Sequence, residues 1–149
     1  MNTNIVLFVD DEENILSSIK RGVLYEDYKV LLVDSGEKAL EIIKNNEISV
    51  IVSDMKMPNM HGLDLLKHVK EISPDTIRIV LSGYNEIAQV LLTINNLGVF
   101  RYISKPWNDD SDFLPAIREA IMLYNLKAEN TSLKKQLEEK NANLSKKTD

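Results

Sequence analysis

The sequence predicts an α/β fold: a five-stranded parallel sheet, doubly wound by helices, followed by an extended C-terminal helix. Three observations lead there. Short β-rich apolar runs alternate with stretches whose apolar residues recur every three or four positions. The runs are apolar at nearly every position, as strands are when both faces of their sheet are covered. No Pro or Gly interrupts the last helical stretch, from about Ile121 to Leu144.

In chain order, the first strand is Ile5–Val9, and Ile15, Leu16 and Ile19 with Val23 mark the helix after it. Val30–Val33 is the second strand. Ser35 then stands as an N-cap before Gly36-Glu37-Lys38, opening a helix that carries Ala39, Leu40 and Ile43. Val50–Val52 precedes a helix with Leu63, Leu65, Leu66 and Val69, and Ile77–Leu81 precedes one with Ile87, Val90, Leu91 and Ile94. That last stripe reads as core and not as a ligand site. Val99–Ile103 is the fifth strand. Ser111 before Asp112 is the predicted cap of the final helix, which begins with Phe113, Ala116, Ile117, Ala120 and Ile121.

With 149 residues, 44% hydrophobic and 28% charged, the chain holds one cored domain plus an appendage, divided here as 1–123 and 124–149. The lack of cysteine excludes a disulfide framework and thiolate metal sites, and fits a reducing compartment. A net charge of −5 argues against direct nucleic-acid binding through the overall field. Met1-Asn2-Thr3-Asn4 has no basic stretch and a short apolar run follows it, so neither a signal peptide nor a membrane span is expected, and the cytoplasm is the default location.

In the appendage, Leu126, Asn130, Leu133, Leu137, Lys140 and Leu144 follow alternating four- and three-residue steps. This is a heptad seam with Leu126 and Leu133 at d, Leu137 and Leu144 at a, and Asn130 as a polar a residue. It spans under three heptads and places Lys140 at d. A short coiled coil that makes a homodimer and a solvated helical linker both fit, with fraying expected from Asn141 onward.

Ligands of a parallel sheet bind beyond the carboxyl ends of its strands. Five polar residues fall there: Asp10 and Asp11 after the first strand, Asp54 after the third, Ser82 after the fourth and Lys105 after the fifth. An isolated Asp at such a place is usually a cap or turn former, but five matching positions call for a site. Like charges about 4 Å apart repel by roughly 4 kcal/mol at an effective dielectric near 20, so three clustered carboxylates need a cation. Oxygen ligands without Cys or His favour Mg²⁺, which retains waters and recruits phosphate oxygens. An Asp carboxylate in such a site can accept a phosphoryl group, with a lysine neutralising its oxygens and Ser82 donating a hydrogen bond.

From Ile5 to Leu123 the chain resembles a receiver domain of two-component response regulators. The resemblance is carried by Val9-Asp10-Asp11-Glu12, by Ser53-Asp54-Met55-Lys56-Met57-Pro58 with Gly62, by Leu81-Ser82-Gly83-Tyr84 and by Tyr102-Ile103-Ser104-Lys105-Pro106. It implies that Asp54 is the phosphoacceptor, supplied by a histidine kinase or phosphotransfer protein. Asp11, Asp54 and the Lys56 backbone carbonyl would ligate Mg²⁺, with Asp10 acting mainly through water. Lys105 would pair with the phosphoryl group, Ser82 would move toward it and Tyr102 would rotate inward. The change would be read on the face of the fourth helix, fifth strand and fifth helix. Lys56 and Tyr84 hold positions that tune phosphoryl lifetime, and the Lys105-Pro106 bond would be cis. A narrower resemblance, in Arg101-Tyr102-Ile103-Ser104-Lys105-Pro106-Trp107, is to receivers attached to HD-GYP phosphodiesterase output domains. No output domain is visible in the sequence, so a fragment, or a chain that acts by contact, is expected.

Other classes fit less well. Phosphohydrolases of the haloacid-dehalogenase pattern place Asp-x-Asp after the first strand, whereas Asp10 and Asp11 are adjacent here, and no cap domain is inserted. No Gly-rich loop follows the first strand, against a dinucleotide or P-loop site. A receiver-like interaction domain that is never phosphorylated is disfavoured by the intact set of five. His61 and His68 lack further ligands at metal spacing and read as surface residues. The expectation is therefore a switch that modifies its own Asp54 and turns over no separate substrate.

Overall fold

The computed structural model describes residues 3–83 and 97–147. Five parallel strands, β1 (Ile5–Val9), β2 (Lys29–Val33), β3 (Val50–Asp54), β4 (Ile77–Ser82) and β5 (Val99–Ser104), form one sheet in the order β2-β1-β3-β4-β5. The helices are α1 (Glu13–Gly22), α2 (Gly36–Asn45), α3 (Gly62–Ile72) and a C-terminal helix, Leu114–Lys147. The predicted helix with Ile87, Val90, Leu91 and Ile94, and Tyr84 with it, lies outside the described residues.

Strand alternation sorts the apolar side chains onto two cores. Val6 and Phe8 of β1 join Val52, Ile79, Ile19 and Ile117 on the face covered by α1 and the C-terminal helix. Leu7 and Val9 join Ile51, Ile43, Leu65 and Val69 on the face covered by α2 and α3. The chain leaves β1 toward β2 on one side and continues from β3 toward β4 and β5 on the other, so the switch point falls between β1 and β3.

Most local expectations match the structure. Ser35 Oγ accepts the Lys38 N–H at 3.2 Å and caps α2. The predicted Ser111 cap does not form. A π-helical turn, Asp109–Phe113, precedes the C-terminal helix, and the Asn108 side chain accepts from the Asp110 and Ser111 N–H groups at 3.0 Å each. Asn108 wins because its carbonyl reaches the free donors two and three residues on, while Ser111 already lies inside the turn. Asp54 and Ser82 are the last residues of their strands and not the first after them, with Asp54 paired to Leu81. The C-terminal helix stays continuous past Tyr124 and past Asn141, the expected onset of fraying.

Arg78 is the one charged side chain in the sheet interior that the apolar pattern of β4 conceals. It is buried, its Nε donates to the Leu97 carbonyl at 3.0 Å, and its Nη1 donates to the Pro74 and Thr76 carbonyls at 3.1 and 3.0 Å. It thereby ties the entry of β4 to the entry of β5, next to Gly98, whose φ of 62° suits glycine. Burial lowers the pKa of this guanidinium, and the three carbonyls take three of its five N–H donors.

Gly62 starts α3 against the end of β3. A Cβ there would stand 1.9 Å from the Asp54 carbonyl oxygen and 2.9 Å from Met55 Cα. Backbone cannot swing aside as a flexible side chain would, so α3 sits this close to the sheet only with glycine at 62. Gly62→Ala is expected to lower unfolding free energy by about 2–3 kcal/mol in urea titrations, with α3 displaced from the Asp54 end of β3.

Candidate functional site

The five residues singled out along the chain converge at the carboxyl ends of β1, β3, β4 and β5. Asp10 follows β1 and is fully buried. Its Oδ1 accepts the Glu12 N–H at 2.9 Å and its Oδ2 accepts Lys105 Nζ at 2.9 Å. Asp54 is 5% exposed, and its Oδ1 accepts both the Met55 N–H and Lys105 Nζ at 2.9 Å. Lys105 thus holds two buried carboxylates with one ammonium, using two of its three donors. Contact between Lys105 and Asp10 is a finding of the structure, since the sequence pointed the lysine toward the phosphoryl group.

The turn after β5 places that ammonium. Lys105 N–H donates to the Ser82 carbonyl at 2.8 Å, the Lys105-Pro106 bond is cis, and Trp107 stacks on Phe113 with centroids 4.7 Å apart. Phe113 in turn stacks on Phe8 of β1 at 5.9 Å. Trp107 therefore fastens the lysine turn to the core through an aromatic column. Its position after Lys-Pro was legible in the sequence, but its packing partner was not.

The site's charge state follows from burial. Burial raises the Asp54 carboxyl from its ordinary 3.8 to about 6, against the Lys105 hydrogen bond, and the Asp10 charge adds to the rise. For Lys105, burial favours the neutral amine, yet the hydrogen bonds to Asp54 and Asp10 and their charges outweigh it and leave the pKa raised.

Carboxylate oxygens of Asp10, Asp11 and Glu12 lie within 4.8 Å of one another, with Asp11 and Glu12 exposed. This all-oxygen group just after β1 suits a hard divalent cation. Glu12 was quoted in the sequence pattern without a role, and its presence in the cluster is new. Asp54 is joined to the group through Asp10 and Lys105, and Lys56 is exposed in the β3–α3 loop. The Ser82 hydroxyl is fully buried and finds no hydrogen-bond partner among the described residues. A buried hydroxyl without a partner costs stability and is available to an incoming acceptor. Tyr102 points outward, 39% exposed, and His61 and His68 are both exposed.

Fold and site together define a doubly wound α/β domain with acids at its switch point, a lysine bridging them and a buried serine beside them. The chain belongs to the response regulator receiver domain family, whose model matches residues 6–118. It is 36% identical over 124 residues to the hydrogenase transcriptional regulatory protein HoxA of Bradyrhizobium diazoefficiens, covering 83% of this chain and 25% of that protein. The chain thus spans about a quarter of that relative's length. A solved structure described as adenylate cyclase from Rhodopirellula baltica superposes with a TM-score of 0.83 at 32% identity, covering 90% of this chain and 98% of that one. The signal receiver domain of an HD domain-containing protein from Pseudomonas fluorescens Pf-5 gives a TM-score of 0.81 at 28% identity, covering 87% of this chain and 94% of that one. Family membership makes this a domain of phosphorylation-dependent signalling, of a kind generally not enzymatic.

The Asp54 shift carries a pH signature in metal-free buffer. Its folded pKa of about 6 exceeds the ordinary 3.8, so the native state holds the proton more tightly. Stability therefore falls as pH rises from about 4 to about 6, and the cost of the ionised group is fully present above that window. Asp54→Asn is expected to gain about 1–2 kcal/mol at pH 7.5 and nothing near pH 4, measured by urea unfolding at both pH values.

Proposed function

We propose that this domain accepts a phosphoryl group on Asp54 from a histidine kinase or phosphotransfer protein, with Mg²⁺ bound, and passes the change to an output domain or partner. The observation that carries this reading is Lys105 bridging Asp10 and Asp54 beside the buried Ser82 hydroxyl, which has no partner among the described residues. Asp10, Asp11 and Asp54 with the Lys56 backbone carbonyl would hold the cation, and Glu12 is close enough to contribute. When bound, it supplies positive charge that offsets both the carboxylates and the oxygens of a phosphoryl donor.

The chain's own residues do the rest. Met55 N–H and Lys105 fix Asp54 Oδ1, which leaves Oδ2 to attack phosphorus. A bond forms between that oxygen and phosphorus, and the bond from phosphorus to the donor's leaving atom breaks, with the electron pair leaving on the donor. Modification brings close to two negative charges and three acceptor oxygens to the rim. Lys105 can then exchange a carboxylate oxygen for a phosphoryl oxygen, and Ser82 can donate to another. Because Lys105 and Ser82 interact differently with the two forms, they bias a two-state equilibrium. Tyr102, outward in this structure, is the side chain that would turn inward, changing the face of the fourth predicted helix, β5 and the C-terminal helix.

In this reading the receiver occupies residues 1–123 and residues 124–149 are the helical extension that carries the signal. The output lies in a longer protein or a separate partner. The HD domain-containing relative and the Arg101–Trp107 stretch both support an output of that HD kind. Among the described residues no helix is long and apolar enough to cross a membrane, and a cytoplasmic location is proposed with the kinase partner.

Intact mass after incubation with acetyl phosphate tests the site. A gain of about 80 Da is expected with Mg²⁺, none with chelator, and none in Asp54→Asn. Undiminished incorporation in Asp54→Asn would refute the acceptor assignment. Lys105→Ala is expected to take up phosphate but lose most of the conformational response, followed by tyrosine and tryptophan fluorescence. A wild-type response in that variant would remove Lys105 from the switch.

A further inference from the structure

Past Tyr124 every described side chain of the C-terminal helix is exposed. Among them Leu126, Leu133 and Leu137 are 56%, 51% and 59% exposed, in line with Met122 at 64%. At roughly 100° per residue these four fall within one narrow stripe. Ala116, Ile117, Ala120 and Tyr124, which pack against the core, centre on the other side of the helix, about 145° away. A helix docked on the leucine stripe would lie on the side turned from that packing, with Leu123, partly buried against the core, at the edge between the two.

We propose that this stripe binds a second copy of the chain as a parallel, in-register helix pair, with the two receivers held on its outer sides. Charge selects this occupant and direction. With Leu126 and Leu133 at d and Asn130 and Leu137 at a, Glu129 falls at g, and Lys127 and Lys134 at e. In a parallel pair each g residue faces the e residue five positions on in the other helix, so Glu129 of each copy meets Lys134 of the other. An antiparallel pair sets e against e and brings the lysines together. Asn130 meets its own counterpart only in the parallel register, where such a residue fixes alignment and favours two strands. Lys140 at d opposes its counterpart and weakens the far end, so association is modest and concentration-dependent. This pairing does not depend on phosphoryl chemistry at Asp54.

Sedimentation velocity of the full chain across a wide concentration range tests the proposal. A monomer–dimer equilibrium is expected, tightened about tenfold by Lys140→Leu and weakened at least about 100-fold by Leu133→Glu. Cooperative urea unfolding of Leu133→Glu with a wild-type slope separates lost pairing from a lost fold. Since the chain has no cysteine, Leu126→Cys is expected to form a disulfide-linked dimer on oxidation, because only the parallel register brings residue 126 within about 7 Å of its counterpart. A monomer at all concentrations, or a dimer indifferent to Leu133→Glu, overturns the proposal. A dimer in which Leu126→Cys does not cross-link overturns the parallel register.

Discussion

One ammonium between two buried carboxylates is the constraint on which this domain is organised. Asp54 ends β3 and Asp10 directly follows β1, both buried at the carboxyl edge of the sheet, and carboxylates buried together there call for a compensating cation. Lys105 supplies it at 2.9 Å to each. A cation borrowed from another strand differs from one built into the carboxylates' own loop, since it can exchange partners when a better anion arrives. The same contact that makes the resting site tolerable thus makes it responsive.

Much of the surrounding structure serves to hold that contact. The Lys105 amide hangs from the Ser82 carbonyl, and Trp107 is stacked through Phe113 onto Phe8, so the turn after β5 is fixed to the strand that delivers Asp10. Gly62 lets α3 close on the Asp54 carbonyl from the other face. At the opposite end of the sheet, Arg78 binds three carbonyls around the entries of β4 and β5. Among the described residues the hydroxyls of Ser82 and Tyr28 are the buried side-chain polar atoms without a partner, and of the two it is Ser82 that lies at the site. A polar atom left unpaired at the site's edge is the kind of local cost that marks function over stability.

The C-terminal helix joins this machinery to the rest of the chain without a break. Its first turns bury Ile117 and Ala120 against the sheet, and a bidentate ion pair from Arg118 to Glu26, at 2.8 and 2.9 Å, fastens it to the loop between α1 and β2. With its Arg118 side exposed to solvent, that pair contributes orientation more than stability. Beyond Tyr124 the helix's described side chains are exposed, Leu126, Leu133 and Leu137 among them.

The order of strands and helices, the two-faced burial of the sheet and the five rim residues were all legible along the chain, because periodicity and position after a strand are local properties. Burial on both faces forces continuous apolar runs, and a parallel sheet forces functional groups to one end of them. Local competition was harder to read, as Asn108 replacing Ser111 at the last helix shows, since both residues can cap and only backbone geometry chooses between them. What the tertiary structure alone decided is pairing across the fold: Lys105 with Asp10 as well as Asp54, Glu12 with the acids, Trp107 with Phe113, Arg78 with carbonyls, and Ser82 with no described partner. Those pairings depend on strand order, stagger and side-chain reach. For Lys105 with the two aspartates and Arg78 with the Leu97 carbonyl, residues far apart in sequence meet only once the sheet is assembled, and for the nearer pairs, Glu12 with the acids and Trp107 with Phe113, the loop conformation decides the contact.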